Sequence, residues 1–203
     1  MSSIVERTST IGKSEIRTEI IRKTIHMLVA FVPLLASLNV DLTIFLLAGG
    51  TLFYTWAEVQ RVQGKPVAVI SLLTTAASRT RDKGGVVFGP ITLGIGSMLA
   101  LLLYPQPAAA MAIYALAFGD GLSGLLGKLF GNTEIPHTGG KTLTGSFACY
   151  ASVLLVALGI LPNLQSALTV AAAATLLEML PTGDMDNIIL PVGTGLITWY
   201  LMI

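Results

Sequence analysis

Residues 117–131 read AFGDGLSGLLGKLFG, an apolar stretch that contains one carboxylate, Asp120, and one lysine, Lys128. A carboxylate within an apolar helix is costly, so it needs a structural or functional reason. On an α-helix, positions i, i+4, i+7 and i+11 share one face. The carboxylate and three glycines have this spacing: Asp120, Gly124, Gly127 and Gly131. The stretch therefore predicts a helix whose glycine face admits either a closely packed second helix or a bulky ligand.

The rest of the chain has the composition of a membrane protein. Of its 203 residues, 53% are hydrophobic and 11% are charged, and the mean hydropathy is +0.78. Twelve basic and eleven acidic side chains are too few to cover a water-soluble protein of this length. The composition excludes a soluble domain, a disordered chain and a disulfide-stapled domain. We expect the single cysteine, Cys149, to be a small buried hydrophobic residue.

Seven apolar segments are candidate transmembrane helices. We therefore predict an all-α polytopic membrane protein with about seven spans, built as a single membrane-embedded domain over residues 1–203. Residues 1–23 form a cytoplasmic amphipathic N-terminal segment in this prediction, and residues 67–77 form a second amphipathic helix or a plain connector. The seven segments are residues 24–39, 41–59, 86–104, 107–127, 143–161, 164–180 and 187–203.

The basic residues predict the orientation of these segments. All twelve lysines and arginines lie before the first segment or at its start, in the connection 61–83, or at Lys128 and Lys141. With seven spans these places share one side, and the positive-inside rule makes that side cytoplasmic. The membrane would be the inner membrane of a bacterium or the endoplasmic reticulum of a eukaryote. Because the outer turns carry one ionisable residue, Asp41, a channel through the membrane is disfavoured.

Several other ionisable residues lie within or at the ends of the apolar segments. They require a reason of the same kind as Asp120, and on the predicted topology they lie toward the cytoplasmic side, where they could line one cavity. In the connection, Arg81 and Lys83 could attract a polyphosphate or lie against anionic lipid head groups. The residues in the apolar segments are Arg22, Lys23, His26, Glu58 and Glu178.

Residues 138–146 read TGGKTLTGS and lead into the fifth segment. A phosphate-binding P-loop is excluded, because its first glycine would fall at Ile135 and no β-strand precedes the motif. The start of a helix with free backbone N–H groups, Lys141, Thr142 and Ser146 can still bind an anion. The alternative is ordinary helix capping with a lysine that extends toward the membrane surface.

Residues 178–187 read EMLPTGDMDN and connect the sixth and seventh segments. Three carboxylates, Glu178, Asp184 and Asp186, together with the amide of Asn187, offer the oxygen ligands that Mg²⁺ prefers. The alternative is a solvated turn in which Asp186 caps the next helix.

Together these motifs resemble one known family, the membrane-embedded, CTP-dependent lipid kinases that include dolichol kinase, phytol kinase and the CTP-dependent diacylglycerol kinase. The sequence departs from many members at Thr144, where they have an acidic or small residue, and this leaves the sub-family open. The matching elements occur in the family's order. They are Arg22-Lys23-x-x-His26, Glu58 with Arg61, residues 81–85 followed by Gly89-Pro90, Phe118 to Gly121 through Gly131, residues 141–146, and Glu178 through Asp186-Asn187 with Pro191.

The resemblance implies transfer of the γ-phosphoryl group of CTP, with Mg²⁺, to the hydroxyl of a membrane lipid alcohol such as diacylglycerol, a polyprenol or phytol. Since phosphoryl transfer depends on positioning and charge neutralisation, we expect Asp120 and Lys141 to be catalytic. Arg22, Lys23, His26 and Glu58 would contact the substrate or support the site, and Asp120, Glu178, Asp184 and Asp186 would bind the metal. The expected nucleotide-binding residues are Gly121, Gly124, Gly127, Lys128, Gly131, Lys141, Thr142, Gly145, Ser146, Arg81 and Lys83.

Two alternatives remain at this point. A phosphatidate cytidylyltransferase also combines CTP, Mg²⁺ and a lipid, but it attacks the α-phosphorus. A small transporter or scaffold would also contain buried carboxylates, although a transporter should show polar groups that reach the outer leaflet. The expected partners are the lipid bilayer, CTP and the lipid alcohol, with no nucleic acid. The sequence does not indicate an oligomeric state.

Overall fold

The computed structural model describes residues 13–78, 82 and 84–203, without the side chains of Lys13 and Ser14. Within these residues the regular structure is helical, apart from an isolated β-bridge between Glu134 and Thr142. The predicted all-α class is therefore confirmed. Arg81 and Lys83, two predicted nucleotide-binding residues, lie outside the described residues.

The helices follow one another through short connections. Short 3₁₀ turns occur at Leu28–Phe31 and Gly183–Met185, and a π-helical turn, Ala115–Asp120, joins α6 to α7. In chain order, the described α-helices are α1 (Lys13–Met27), α2 (Val32–Leu38), α3 (Val40–Val62), α4 (Ala68–Ala77), α5 (Gly89–Leu103), α6 (Ala108–Tyr114), α7 (Gly121–Phe130), α8 (Leu143–Ile160), α9 (Leu164–Glu178) and α10 (Asp186–Tyr200).

Each of the seven predicted segments coincides with a helix, but the helices differ in length. Among the described residues, four helical stretches are long and apolar enough to cross a membrane: Glu15–Leu38, Val40–Val62, Ala108–Phe130 and Leu143–Ile160. Helices α5, α9 and α10 have 15 residues each. At a rise of about 1.5 Å per residue they are about 22 Å long, shorter than a hydrocarbon core of about 30 Å. The structure supports a membrane protein, and the number of seven spans stays a prediction.

The stretch Ala108–Phe130 is the centre of the bundle. In its most apolar window 61% of the residues are buried, against 11% for Val40–Val62. Alanine and glycine predominate along it, so neighbouring helices approach its backbone closely. Helices α1, α8 and α10 pack around it, and Cys149 of α8 is buried in the core as predicted. Asp120 therefore lies in the most deeply buried of the four long apolar stretches.

Helix α1 differs from the expected surface helix. It continues through Leu28–Phe31 into α2, and its polar residues Glu19 and Lys23 are only 4% and 2% exposed. The physical reason is that Lys23 finds a carboxylate partner on the central helix, which a position on the membrane surface would not offer. We therefore assign the described part of this segment to the bundle.

Helix α4 has the amphipathic distribution predicted for residues 67–77. Its hydroxyl side chains Ser71 and Thr74 are buried, whereas Val69 and Leu72 are 68% and 71% exposed. A helix with this distribution presents its apolar face to lipid and its polar face to the protein.

Candidate active site

A polar cavity of about 1060 Å³ lies at one end of the central helix. Its walls come from α1, α7, the connection before α8, the start of α8 and the connection from α9 to α10. The charged and hydroxyl side chains of the lining include Glu19, Arg22, Lys23, Asp120, Ser123, Lys128, Glu134, Lys141, Thr142, Ser146, Glu178, Asp184 and Asp186. The cavity therefore brings together most of the predicted site residues.

Asp120 is held by α1. The ammonium of Lys23, 97 residues away in the chain, donates to Asp120 Oδ2 at 2.6 Å and to the Asp120 carbonyl oxygen at 2.7 Å. His26 Nε2 lies 3.2 Å from the same Oδ2 and 2.9 Å from the carbonyl oxygen of Leu116. Leu116 and Asp120 belong to the π-helical turn, a distortion that is frequent at functional sites. The turn and α1 together fix where the carboxylate points.

Glu178 forms the second centre of the cavity. Its Oε1 accepts hydrogen bonds from Lys141 Nζ at 2.7 Å and from Ser123 Oγ at 2.9 Å. Ser123 Oγ also lies 3.1 Å from the carbonyl oxygen of Asp120, so this hydroxyl links the two carboxylate residues. Glu178 Oε2 is buried and has no hydrogen-bond partner among the described residues. One oxygen of this carboxylate is therefore free to bind a ligand.

The cavity contains more carboxylates than cations. Six of its lining residues are acidic and four are basic, counted over the described residues. The two ion pairs described above leave this excess in place, because each pair uses one residue of each sign. A net negative cavity of this kind favours a divalent cation and opposes the entry of a bare polyphosphate.

The pKa values at the edge of the cavity respond to this charge distribution. Burial lowers the pKa of Lys141. The hydrogen bond to Glu178 and the negative charges of Glu178, Asp120 and Asp186 together outweigh burial, so the pKa is raised. Burial and the negative charge of Asp120 raise the pKa of Asp186 to about 6, although Lys141 opposes the rise. Lys141 is thus firmly cationic, and an added cation would favour the ionised form of Asp186.

The donor atoms in the cavity fit Mg²⁺. Among the described residues, no three His, Cys, Asp or Glu side chains already form a metal-binding group. However, Mg²⁺ is commonly bound by one or two carboxylates together with water and substrate phosphates. The free Glu178 Oε2 is such a ligand, and all four predicted metal ligands line the same cavity. Their metal role stays a prediction.

The glycine positions have a packing explanation. A Cβ added at Gly124 would lie 2.3 Å from Lys23 Cε, one at Gly127 would lie 2.8 Å from Thr142 Oγ1, and one at Gly121 would lie 2.8 Å from Met27 Cγ. The same atom of Thr142 and the backbone of Ser123 crowd Gly131 and Gly145 respectively. Close helix packing, one of the two alternatives for the stripe, therefore accounts for the glycines. Nucleotide binding stays a prediction for the four that line the cavity: Gly124, Gly127, Gly131 and Gly145.

At the start of α8 the two hydroxyl residues behave differently. Thr142 is the N-cap of the helix, and its hydroxyl oxygen accepts a hydrogen bond from the backbone N–H of Gly145 at 3.1 Å. Ser146 is 8% exposed, lines the cavity, and its Oγ has no hydrogen-bond partner among the described residues. Capping therefore explains Thr142, whereas it leaves Ser146 available to a ligand.

Glu58 is placed apart from the cavity. Both of its oxygens accept hydrogen bonds from Arg61, at 2.7 and 2.8 Å, and Oε1 also accepts from the backbone N–H of Val87 at 2.8 Å. It does not line the polar cavity, so the structure does not bring it to the other predicted residues. Arg22, in contrast, lines the cavity and is paired with Glu19.

Sequence reasoning missed three of the charged and hydroxyl residues that line the cavity: Glu19, Ser123 and Glu134. Ser123 follows Asp120 by three positions, so the helical spacing that selected the glycines also places it on the same side. Glu19 precedes Lys23 by one helical turn and would have been found if α1 had been assigned to the bundle.

The chain is similar to curated phytol kinases. It is 26% identical over 151 residues to phytol kinase 1, chloroplastic, of Arabidopsis thaliana, an alignment that covers 66% of this chain and 50% of the relative. A phytol kinase of Synechocystis is 30% identical over 148 residues, covering 66% of this chain and 63% of the relative. A probable phytol kinase 1 of Glycine max is 24% identical over 157 residues, covering 68% and 52%.

These relatives confirm the resemblance that the motifs predicted. This chain spans about half the length of the plant proteins that it matches. No family model matches the chain, and no solved structure is significantly similar to it.

Proposed function

We propose, from the premise that the curated relatives are phytol kinases, that this chain is a lipid kinase that transfers the γ-phosphoryl group of CTP to a lipid alcohol. The names of the relatives support an isoprenoid alcohol of the phytol type as the acceptor. CTP as the donor rests on the motif resemblance alone.

The observation that carries the proposal is the free carboxylate oxygen of Glu178 beside Lys141 in a cavity with excess negative charge. A nucleoside triphosphate is itself strongly anionic, so it would be repelled unless a divalent cation entered with it. A lysine and several carboxylates placed around one polyphosphate are the arrangement that phosphoryl transfer requires, because such catalysis consists mainly of positioning and charge neutralisation.

Within this proposal we assign a role to each of the main residues of the cavity. Lys141 is 24% exposed at its side chain and lies 3.9 Å from Asp186, so its ammonium can shift from Glu178 toward a bound phosphate. Glu178, with Asp184 and Asp186, would hold Mg²⁺, which would neutralise charge on the phosphate oxygens. Asp120, fixed by Lys23 and the π-helical turn, would orient the lipid hydroxyl or share the metal.

The proposed orientation places this cavity on the cytoplasmic side of the membrane, with seven spans and an external C-terminus. Single cysteines introduced at exposed Lys65 and exposed Asn39 test it with a membrane-impermeant thiol reagent, in a background where Cys149 is replaced by alanine. Labelling of position 39 alone from outside intact cells is expected. Labelling of position 65 from outside would reverse the orientation.

The activity is tested with purified protein in detergent, Mg²⁺ and CTP labelled at either the α- or the γ-phosphate. Phytol, a polyprenol, diacylglycerol and phosphatidate are offered in turn, with ATP run beside CTP. We expect label in the lipid only from γ-labelled CTP and most rapidly with phytol. Label from α-labelled CTP with phosphatidate would instead identify a cytidylyltransferase, and transfer to no acceptor from folded protein would contradict a kinase.

A further inference from the structure

An apolar pocket of about 270 Å³ lies beside the polar cavity, between α1, α3, α4 and α5. Most of its wall surface is apolar, and its aliphatic residues include Ile25, Leu28, Ile70, Leu73 and Leu93. The proposed roles of the polar cavity do not use any of these residues. We call this space the apolar pocket.

The apolar pocket opens toward the lipid-facing surface. Leu28 of the 3₁₀ turn that follows α1 and Leu73 of α4 line it and are also 57% and 47% exposed, so they mark its mouth. Leu93 of α5 also lines the apolar pocket and is 9% exposed, so it belongs to the buried part of the wall. The outer face of α4 carries exposed Val69 and Leu72, which are suited to contact with lipid chains. A chain that enters between α1 and α4 would therefore never leave an apolar environment.

The inner end of the apolar pocket meets the polar cavity. Arg22, Asp184 and Asn187 line both spaces. His26 also lines the apolar pocket, and its Nε2 lies 3.2 Å from Oδ2 of Asp120, which lines the polar cavity. One layer of polar side chains thus separates the two spaces. This layer lies beside Asp120, the residue that the proposed function places next to the lipid hydroxyl.

We propose that the apolar pocket is the acceptor site, which binds the chain segment next to the hydroxyl of a single-chain, long-chain primary alcohol. The inference rests on the proposed function and deepens it. The hydroxyl lies at the junction formed by His26 and Arg22, facing Asp120, and the remainder of the chain leaves past Leu28 and Leu73 into the bilayer.

The size of the apolar pocket selects one chain over two. Ligand pockets for drug-sized molecules are typically about 300–1,000 Å³, and this one, at about 270 Å³, is below that range. It has room for the first part of one chain, whereas a glyceride would bring a glycerol unit and two acyl chains to the same opening. A single-chain alcohol is therefore the preferred occupant, and diacylglycerol is disfavoured on steric grounds.

The test uses a substitution that narrows the apolar pocket and leaves the residues of the polar cavity unchanged. Ala77 of α4 lines the apolar pocket, whereas its neighbour Ala76, on the same helix, does not. We expect Ala77→Phe to raise the KM for phytol by about tenfold, because overfilling a packed space costs roughly this factor. The KM for CTP should be unchanged, and Ala76→Phe should behave like the wild type for both substrates.

A second measurement does not depend on activity. A long-chain alcohol with a photoreactive diazirine near its hydroxyl is cross-linked to the protein in detergent, and the labelled peptides are mapped by mass spectrometry. We expect labels on the α1, α4 and α5 residues that line the apolar pocket, reduced by Ala77→Phe and by excess phytol but not by Ala76→Phe.

The outcomes separate the two proposals. Phosphoryl transfer that Ala77→Phe leaves unchanged, with labels elsewhere, would overturn the acceptor site and leave the kinase intact. Labels in the apolar pocket with no transfer from any nucleotide would support a lipid-alcohol site and overturn the kinase. Faster transfer to diacylglycerol than to phytol would contradict the single-chain preference.

Discussion

Glu58 and Glu178 are both buried carboxylates near the ends of apolar helices, with exposed fractions of 0% and 2%, yet their surroundings differ. Both oxygens of Glu58 are engaged, by Arg61 three residues later and by the backbone of Val87. Glu178 has one oxygen engaged, by Lys141 and Ser123, and one without a partner among the described residues. Burial alone therefore does not distinguish the two residues, whereas the use of the second oxygen does.

The comparison shows how to separate a structural from a functional carboxylate in this fold. In Glu58 both carboxylate oxygens accept hydrogen bonds, and these bonds tie the end of α3 to the connection before α5. A buried oxygen without a partner costs free energy unless a ligand binds to it. Because Glu178 lines the polar cavity and Glu58 does not, we expect ligand binding only at Glu178.

The largest expected effect comes from removing the cation beside Glu178. Lys141→Met should lower kcat/KM by about 100-fold or more, the typical loss for one charge-stabilising group. Thermal unfolding is recorded beside the kinetics, because Lys141→Met leaves the buried Glu178 without its cation, just as Asp120→Asn would leave the buried Lys23 without a charged partner. Steady-state transfer from labelled CTP measures the change. Exposed Lys65→Met is the control, and wild-type turnover in Lys141→Met would remove this residue from the site.

The next prediction concerns the stability and activity of the protein when Glu58 is substituted. Glu58→Gln should destabilise the protein by about 2 kcal/mol, because it replaces charge-assisted hydrogen bonds to Arg61 with neutral ones. Activity per folded molecule should stay near the wild-type value. Thermal unfolding in detergent and kinetics on the same preparation give both quantities.

Glu178→Gln is the matched variant, for which the opposite result is expected, a strong loss of activity with a smaller loss of stability. If both variants are fully folded and lose activity equally, a second oxygen without a partner does not distinguish a functional carboxylate from a structural one.

A smaller effect is expected at the contact between α1 and α7. Gly124→Ala places a methyl group 2.3 Å from Lys23 Cε, so the lysine must shift away from its present position beside Asp120. We expect about a tenfold loss of kcat, in line with the cost of overpacking a tight contact. Gly159→Ala is the control, since a Cβ there meets nothing within 4 Å. Equal kinetics for the two variants would show that the Lys23 position does not matter.

The sequence predicted the helices and most of the cavity because both depend on local patterns. Apolar segments define helices, and ionisable residues within them are rare enough to be singled out, as Asp120 and Glu178 were. Lys141 was singled out by the motif that leads into the fifth segment. The ion pair between Glu58 and Arg61 was also predictable from the sequence, since Arg61 lies three positions later on the same helix face.

The partner of Asp120 was not predictable in this way. Lys128 is close in sequence, but the observed partner is Lys23, 97 residues earlier, and only the packing of α1 against α7 brings them together. The burial of Glu19 and Lys23 on α1 was not predictable for the same reason. The short lengths of α5, α9 and α10 were also not predictable, because the composition of an apolar segment does not show where its helix ends.

The smallest expected effect concerns the hydroxyl of Ser146. Ser146 lines the polar cavity, and its Oγ is buried without a partner among the described residues. Ser152 Oγ, six residues further along α8, instead donates to the Cys149 carbonyl oxygen at 3.0 Å. If the Ser146 hydroxyl donates to a phosphate of the bound nucleotide, Ser146→Ala should raise the KM for CTP by about fivefold, the value of one hydrogen bond of about 1 kcal/mol. Stability should not fall, since no bond within the protein is lost.

Ser152→Ala should give the reverse pattern, a slight loss of thermal stability with an unchanged KM for CTP. Initial rates over a range of CTP concentrations, at saturating phytol, separate KM from kcat. A KM for CTP that stays at the wild-type value in Ser146→Ala would place the nucleotide away from the start of α8. The free oxygen of Glu178 would then have to be assigned to another ligand, because Ser146 and Glu178 line the same cavity.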